Sequence, residues 1–258
     1  MPLTTDFHNH VARSSAAQMV ALARQKGIQI FGLSEHVFQM SEGRPALSHM
    51  PLEGPMLTTA QYMEAVHAAA QTEVLDVRLG LEVDFIPEKN ERIQAVLQGY
   101  DWDYLIGSIH EIDDLQFEQQ NIKSQEQGEA LWKRYFVLLR EAVNSGYFDV
   151  VSHSARMRFR NPYEPSDIDE EYEHLATDAT RCNVALELNG FDVLLYPDTV
   201  KRLAHACALH HTPVSVGSDA HTPPEIARAH QPIWDILQES GIHTIRIWKK
   251  RVAQEYLL

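Results

Sequence analysis

The chain has 258 residues, 44% of them hydrophobic, with 12 Gly and 12 Pro, which is enough apolar material for one large core and an ordinary length for a single α/β barrel. A formal charge of −14 at pH 7 excludes a general nucleic-acid-binding surface, because phosphate contacts need clustered Lys and Arg. Most of that charge is expected to face solvent and part of it to be neutralised by bound cations.

Two cysteines, Cys182 and Cys207, stand in helix-like segments without paired spacing. They support neither a disulfide framework nor a thiolate metal site, and they fit a reducing cytoplasm. The opening MPLTTDFHNH has no basic stretch followed by an apolar one, and no segment approaches the roughly 18 apolar residues of a membrane span. A soluble, cytoplasmic protein, neither exported nor membrane-spanning, is therefore expected.

Along the chain a syntax repeats: helix, short stop, apolar strand, polar strand end. Ser14 or Ser15 caps a helix over AAQMVALARQK that stops at Gly27, and the strand IQIFGLSEH follows. Thr58 or Thr59 opens a second helix to about Gln71, before VRLGLEVD. A helix over EALWKRYFVLLREAVNS ends at Gly146 ahead of FDVVSH. Acidic residues at 167–171 start another, ended near Asn183 ahead of ALELNG. Asp198 caps TVKRLAHACALHH before PVSVGSD, and Pro223 with Pro224 opens a last long helix that stops at Gly241 before HTIRIW. The strands are near-continuous apolar runs, as in a parallel sheet covered by helices on its outer face. Roughly seven βα units predict one domain over residues 1–258, a TIM-like barrel one unit short of eight. The long connections, 37–57, 111–127 and 154–166, follow strands, and barrel sites are built from strand-to-helix loops.

The chemistry is concentrated at those strand ends. His8 and His10 alternate, so both project to one side. The following strands end in Glu35-His36, in Glu82-Val83-Asp84, in His110-Glu111 and in His153; the sixth ends in Asn189, a poor metal ligand, and the seventh in Asp219-Ala220-His221. A single such residue is ordinarily a hydrogen-bonded rim side chain. Six of seven strand ends carrying His, Asp or Glu point to metal, since buried charges are costly unless paired or coordinated. Imidazole and carboxylate suit Zn²⁺, Mn²⁺ or Fe²⁺, and these candidates exceed what one ion can use. Two or three ions a few Å apart need a bridging carboxylate, for which Glu82 is the natural choice, and such clusters support hydrolysis by a bridging hydroxide without a protein nucleophile.

FHNH, LSEH, GLEVD, GSIH, VSH and GSDAH, in this order, resemble the PHP (polymerase and histidinol phosphatase) superfamily from about residue 4 to residue 222, and its histidinol-phosphate phosphatase branch most. The resemblance implies a distorted (β/α)₇ barrel with a trinuclear centre. One metal would take His8, His10, Glu82 and Asp219; a second Glu82, His110 and His153; a third His36 and His221. Two departures stand out. Ala16 occupies a position where the family usually has another ligand His, leaving the third site to His36 and His221 with water or a neighbour such as Glu35. Ser154-Ala155 replaces an acidic residue that often follows the fifth-strand His.

Arginines can hold a phosphate bidentately. Arg158 and Arg160, in the loop after His153, are the candidate substrate-binding residues, with Arg156 and Arg13 nearby. Asp6 is a candidate for orienting a ligand imidazole. His49, His67, His205, His210, His211, His230 and His243 fall away from strand ends and read as ordinary. The expected activity is hydrolysis of a small phosphomonoester, with L-histidinol phosphate first among substrates. The rivals are a PHP-type phosphatase or phosphodiesterase acting on another metabolite or a nucleotide, an amidohydrolase, and a non-catalytic metal-stabilised domain. The amidohydrolase reading is weakened because no strand ends in the lysine that commonly bridges its metals.

Overall fold

The computed structural model of the chain describes residues 3–72 and 74–258. Seven strands run parallel in chain order: β1 (Thr5–Asp6), β2 (Ile30–His36), β3 (Asp76–Asp84), β4 (Tyr104–Ser108), β5 (Val150–Val151), β6 (Ala185–Asn189) and β7 (Val214–Gly217). The first strand returns to the last, with Phe7 N–H donating to Val216 O at 2.9 Å and His10 N–H to Ala220 O at 2.8 Å. The result is a nearly closed barrel with helices outside, the expected (β/α)₇ architecture.

The covering helices form largely where the sequence places them, with several differences. Helix α1 (Ala16–Gln25) starts behind Ser15, whose side chain accepts the Gln18 N–H, and buries Met19, Val20 and Ala23 along one stripe. A single turn, α2 (Arg44–Leu47), lies in the loop after β2, and α3 (Thr59–Thr72) follows. Helix α4 (Asn90–Leu97), between β3 and β4, has no counterpart among the expected helices; it is short, and only Ile93 and Leu97 are buried. After α5 (Gln125–Asn144) and α6 (Ile168–Cys182), α7 (Gly190–Leu195) springs directly from β6, capped by the Asn189 side chain. Helix α8 (Pro197–Leu209) begins one residue before its expected Asp198 cap. The final helix, α9 (His230–Glu239), begins at His230 and not at the prolines. Pro223–Glu225 form one 3₁₀ turn, after which Ala227 takes φ +57° and sends its N–H to Ser218 Oγ (2.7 Å) and Asp6 Oδ2 (3.2 Å). The backbone there ties β1 to β7, so the helix cannot start earlier.

HTIRIW does not join the barrel. It forms β8 (Thr244–Lys249), which pairs antiparallel with β9 (Val252–Leu257). Ile247 and Trp248 of this hairpin pack against Phe7, Tyr104, Ile106, Val150 and Ala185. The Trp248 ring lies 5.7 Å from that of Phe7 and 6.1 Å from that of Tyr104. Lys250 N–H donates to Asp103 Oδ1 at 2.9 Å, and Arg78 donates to Trp248 O. Asp103 precedes β4 and Arg78 lies near the start of β3, so the hairpin seals the N-terminal end of the barrel. None of the described helices is long and apolar enough to cross a membrane.

Candidate metal centre

At the opposite rim, the strand ends converge. His8, His10, His36, Glu82, His153 and Asp219 are buried, while His110 and His221 reach the cleft surface. His36 and Glu82 are register partners on β2 and β3. His8 Nε2 lies 3.3 Å from Glu82 Oε2 and 3.8 Å from Asp219 Oδ1; His10 Nε2 lies 3.6 Å and 3.4 Å from the same two atoms. Those spacings are long for charge-assisted hydrogen bonds. They match a tetrahedron around an ion, whose edges are about 3.3 Å for bonds of about 2.0 Å. His8 Nε2 and His10 Nε2 are also buried without a hydrogen-bond partner, which is costly unless something else satisfies them, and Glu82 Oε2 has the His36 imidazole beside it, with Nδ1 at 2.7 Å. The donor set therefore fits a divalent ion.

The other oxygen of Glu82 faces a second group. Oε1 lies 3.4 Å from His110 Nε2 and 3.2 Å from His153 Nε2, and Ser108 Oγ donates to it at 2.6 Å. Glu82 thus presents one oxygen to each of two ligand groups, as a bridge must. His10, His36 and His221 form a third cluster, with ligand nitrogens within 4.8 Å of one another. Ala16 is buried in the apolar core and offers nothing to it.

A ring of carboxylates orients these imidazoles, and most of it lies outside the expected set. Glu187, in the middle of β6, holds His8 Nδ1 at 2.8 Å and accepts the His153 N–H at 3.0 Å. Gly217 makes the contact possible: a Cβ there would lie 2.3 Å from both Glu187 Oε1 and His8 Cβ. Asp84 holds His110 Nδ1 at 2.8 Å. Glu35 is held by backbone donors. Its Oε2 accepts the N–H groups of Val11 and Ala12, both at 2.7 Å, and its Oε1 the His36 N–H at 3.0 Å. Asp6 orients no ligand imidazole; it accepts from Ser218 N–H (2.8 Å), Ser218 Oγ and Asn9, and so fixes the backbone before Asp219. His153 and Asp219 themselves take φ of +29° and +53°. Left-handed backbone at non-glycine residues costs on the order of 1–3 kcal/mol and here aims two side chains at one centre.

Arg156 is the cation behind the ligands. Its Nε donates to Asp192 Oδ1 at 2.6 Å, and its Nη2 to Asp219 Oδ2 at 2.5 Å and Asn189 Oδ1 at 3.2 Å. Arg158 and Arg160 do not line the cleft. A 3₁₀ turn over Arg156–Phe159 turns them away. Arg158 faces Glu164 at 3.3 Å, and Arg160 donates to Glu118 O at 3.3 Å. The cleft, of about 350 Å³, is lined by Arg13, Arg156 and Arg228, by Phe38, Phe159 and Phe191, and by Glu118 above the ligand cluster. Among the histidines read as ordinary, His49 contacts Glu111 Oε2 at 2.5 Å and links two long loops, while His230 is buried against Leu3 O at 3.1 Å.

Burial alone would push the imidazoles down. Glu187, Glu82 and Asp219 outweigh it and hold His8 well above its usual range, and Asp219 and Glu35 lift His10 to about 9. Burial would likewise raise Glu82, but His36, His8 and His110 hold it well below. Without metal, protons do the neutralising that ions would do. A raised histidine contributes stability present in full below its unfolded value of 6.5 and lost as pH rises through its folded value. Chelated protein is therefore expected to lose melting temperature between pH 6.5 and about 9, and metal-loaded protein to hold it. Identical pH profiles with and without metal would speak against the cluster as an ion site.

The PHP domain family matches residues 4–190. A probable histidinol-phosphatase of Deinococcus radiodurans is 30% identical over 208 residues, covering 76% of this chain and 77% of that one. A probable phosphatase of Syntrophotalea carbinolica is 36% identical over 86 residues, 32% of this chain and 34% of its own. In fold, the chain is similar to the histidinol phosphate phosphatase of Lactococcus lactis, solved with zinc, L-histidinol and phosphate. The TM-score is 0.78 at 16% identity, over 97% of this chain and 98% of that one. This chain belongs to the PHP domain family and is a hydrolase of the phosphatase type.

Proposed function

We propose that the protein hydrolyses a small phosphomonoester, L-histidinol phosphate, to the alcohol and inorganic phosphate, as a cytoplasmic enzyme of histidine biosynthesis. The observation that carries this reading is Glu82, with one oxygen facing His8 and His10 and the other facing His110 and His153, at the floor of a cleft of metabolite size. His8, His10, Glu82 and Asp219 would hold one divalent ion, and Glu82, His110 and His153 a second. Zinc is the first choice, and manganese and iron suit the same donors. Bound there, such ions supply charge for the phosphoryl oxygens and acidify water.

The chain's own groups then divide the substrate. Arg228 is stapled beside the floor by its donations to Ser218 O (3.1 Å) and Asp219 O (2.8 Å), and it carries positive charge to the phosphoryl end with Arg13. These two take the role that the sequence suggested for Arg158 and Arg160. Phe38, Phe159 and Phe191 offer an apolar wall to a flat ring. Glu118 already accepts from Arg156 on Oε1 and is placed to meet a cationic group with its other oxygen.

The test is a panel of phosphomonoesters and one phosphodiester, assayed with Zn²⁺, Mn²⁺ and Fe²⁺. Histidinol phosphate is expected to give the highest kcat/KM. A better phosphomonoester would move the substrate assignment within the phosphatase reading. Turnover confined to the diester would overturn it.

A further inference from the structure

Glu53 belongs to no strand-end motif. It comes from the 37–57 loop, between α2 and α3. Its N–H donates to Gln39 Oε1 at 3.0 Å, and Gln39, itself fully buried, donates through Nε2 to Gly54 O and Pro55 O, both at 3.0 Å. A Cβ on Gly54 would lie 2.0 Å from Ala12 O, so this segment rests directly on the backbone that follows His10. One carboxylate oxygen of Glu53 accepts from Arg13 at 3.0 Å. The other, Oε2, is buried without a hydrogen-bond partner and lies 3.2 Å from His221 Nε2.

His221 stacks on His10 with ring centroids 4.2 Å apart, and His10 on His36 at 4.1 Å. The Glu53–His221 spacing is close to the roughly 3.3 Å edge of a tetrahedral site. Three other carboxylates lie beside these rings. Glu82 Oε2 is 2.7 Å from His36 Nδ1 and Asp219 Oδ1 3.7 Å from His221 Nδ1, both facing the first ion group as well, while Glu35 has both oxygens engaged by backbone N–H groups.

We infer that Glu53 is a metal ligand, completing with His36 and His221 a third divalent-ion site in this chain. The inference rests on the ion cluster around Glu82 proposed above. Two imidazoles and a carboxylate suit Zn²⁺, Mn²⁺ or Fe²⁺. Because the carboxylate comes from a loop that also carries Phe38, Met50 and Pro51 of the cleft wall, the third ion fastens that wall to the barrel rim.

The test counts ions. Chelated protein is reconstituted with excess Zn²⁺ or Mn²⁺, desalted and analysed by mass spectrometry, and the weakest site is titrated. Wild type is expected to hold three ions per chain. Glu53→Gln, nearly isosteric, is expected to hold two, with the affinity of the weakest site reduced at least about 10- to 100-fold. Arg13→Gln, which removes only the partner of the other oxygen, is expected to keep three. Three ions in Glu53→Gln at unchanged affinity, or two in wild type, would overturn the role of Glu53 and leave the Glu82 cluster standing. Loss of the third ion from both variants would assign it to loop packing and also overturn the ligand role. Fewer than two ions in wild type would overturn the cluster itself.

Discussion

Glu82→Gln is expected to remove activity by more than about 100-fold, since replacing partners that merely orient a ligand already costs 10- to 100-fold. The amide keeps the shape of the side chain but cannot offer one anionic oxygen to His8 and His10 and another to His110 and His153. Bound metal should fall with activity. The barrel should persist, because Glu82 contributes ligand atoms and no apolar packing. Far-UV circular dichroism and metal content measured on one sample separate these effects. A variant that keeps turnover with its full metal content would refute the bridge.

Arg156→Ala is expected to produce the largest loss of stability, about 3–5 kcal/mol, the range for breaking a buried ion pair from one side. The guanidinium is buried between Asp192 and Asp219, and it also reaches Asn189 and, at 3.2 Å, Glu118. Without it, buried Asp192 loses its cationic partner, while Asp219 keeps the imidazoles of His8 and His10 on its other side. Burial already pushes Asp192 up to about 7 against the pull of Arg156, so the variant should partly recover in acid, where Asp192 takes a proton. Arg156→Lys is expected to rescue little, because a single ammonium cannot reproduce the planar fork. Urea unfolding at pH 6 and pH 8 reads both effects. A loss under about 1 kcal/mol at pH 8 would mean that the two carboxylates are neutralised by other means.

The metal-facing half of the site was legible because of where strands stop. His8 and His10 alternate within one strand, and Glu82, His110, His153 and Asp219 each end an apolar run, so chain order alone brings them to one rim. Residues that act from within a strand or from a loop were not legible in this way. Glu187 sits between two leucines in ALELN, where only the lone charge in an otherwise apolar strand marks it. Glu53 lies in a 21-residue connection whose path the sequence does not determine. The arginines show a third limit. Arg156, Arg158 and Arg160 alternate in sequence, but a 3₁₀ turn gives them different directions, and of the three Arg156 reaches the cleft wall, largely buried against Asp192 and Asp219. The helix expected at Pro223 starts at His230 for a tertiary reason, the tie from Ala227 to Asp6, which no local pattern encodes.

The β8–β9 hairpin gives the vessel a closed base. With Trp248 and Ile247 plugging the N-terminal end, the cavity lined by histidines and carboxylates has its opening at the strand-end rim. Substrate and both products must share that doorway, and traffic through it has an order. On the proposed reading the alcohol would lie nearer the mouth and depart first, while phosphate, at the floor, would leave last. Inorganic phosphate is therefore expected to inhibit competitively and the alcohol non-competitively. Steady-state product-inhibition patterns read this directly, and competitive inhibition by the alcohol alone would reverse the order of departure.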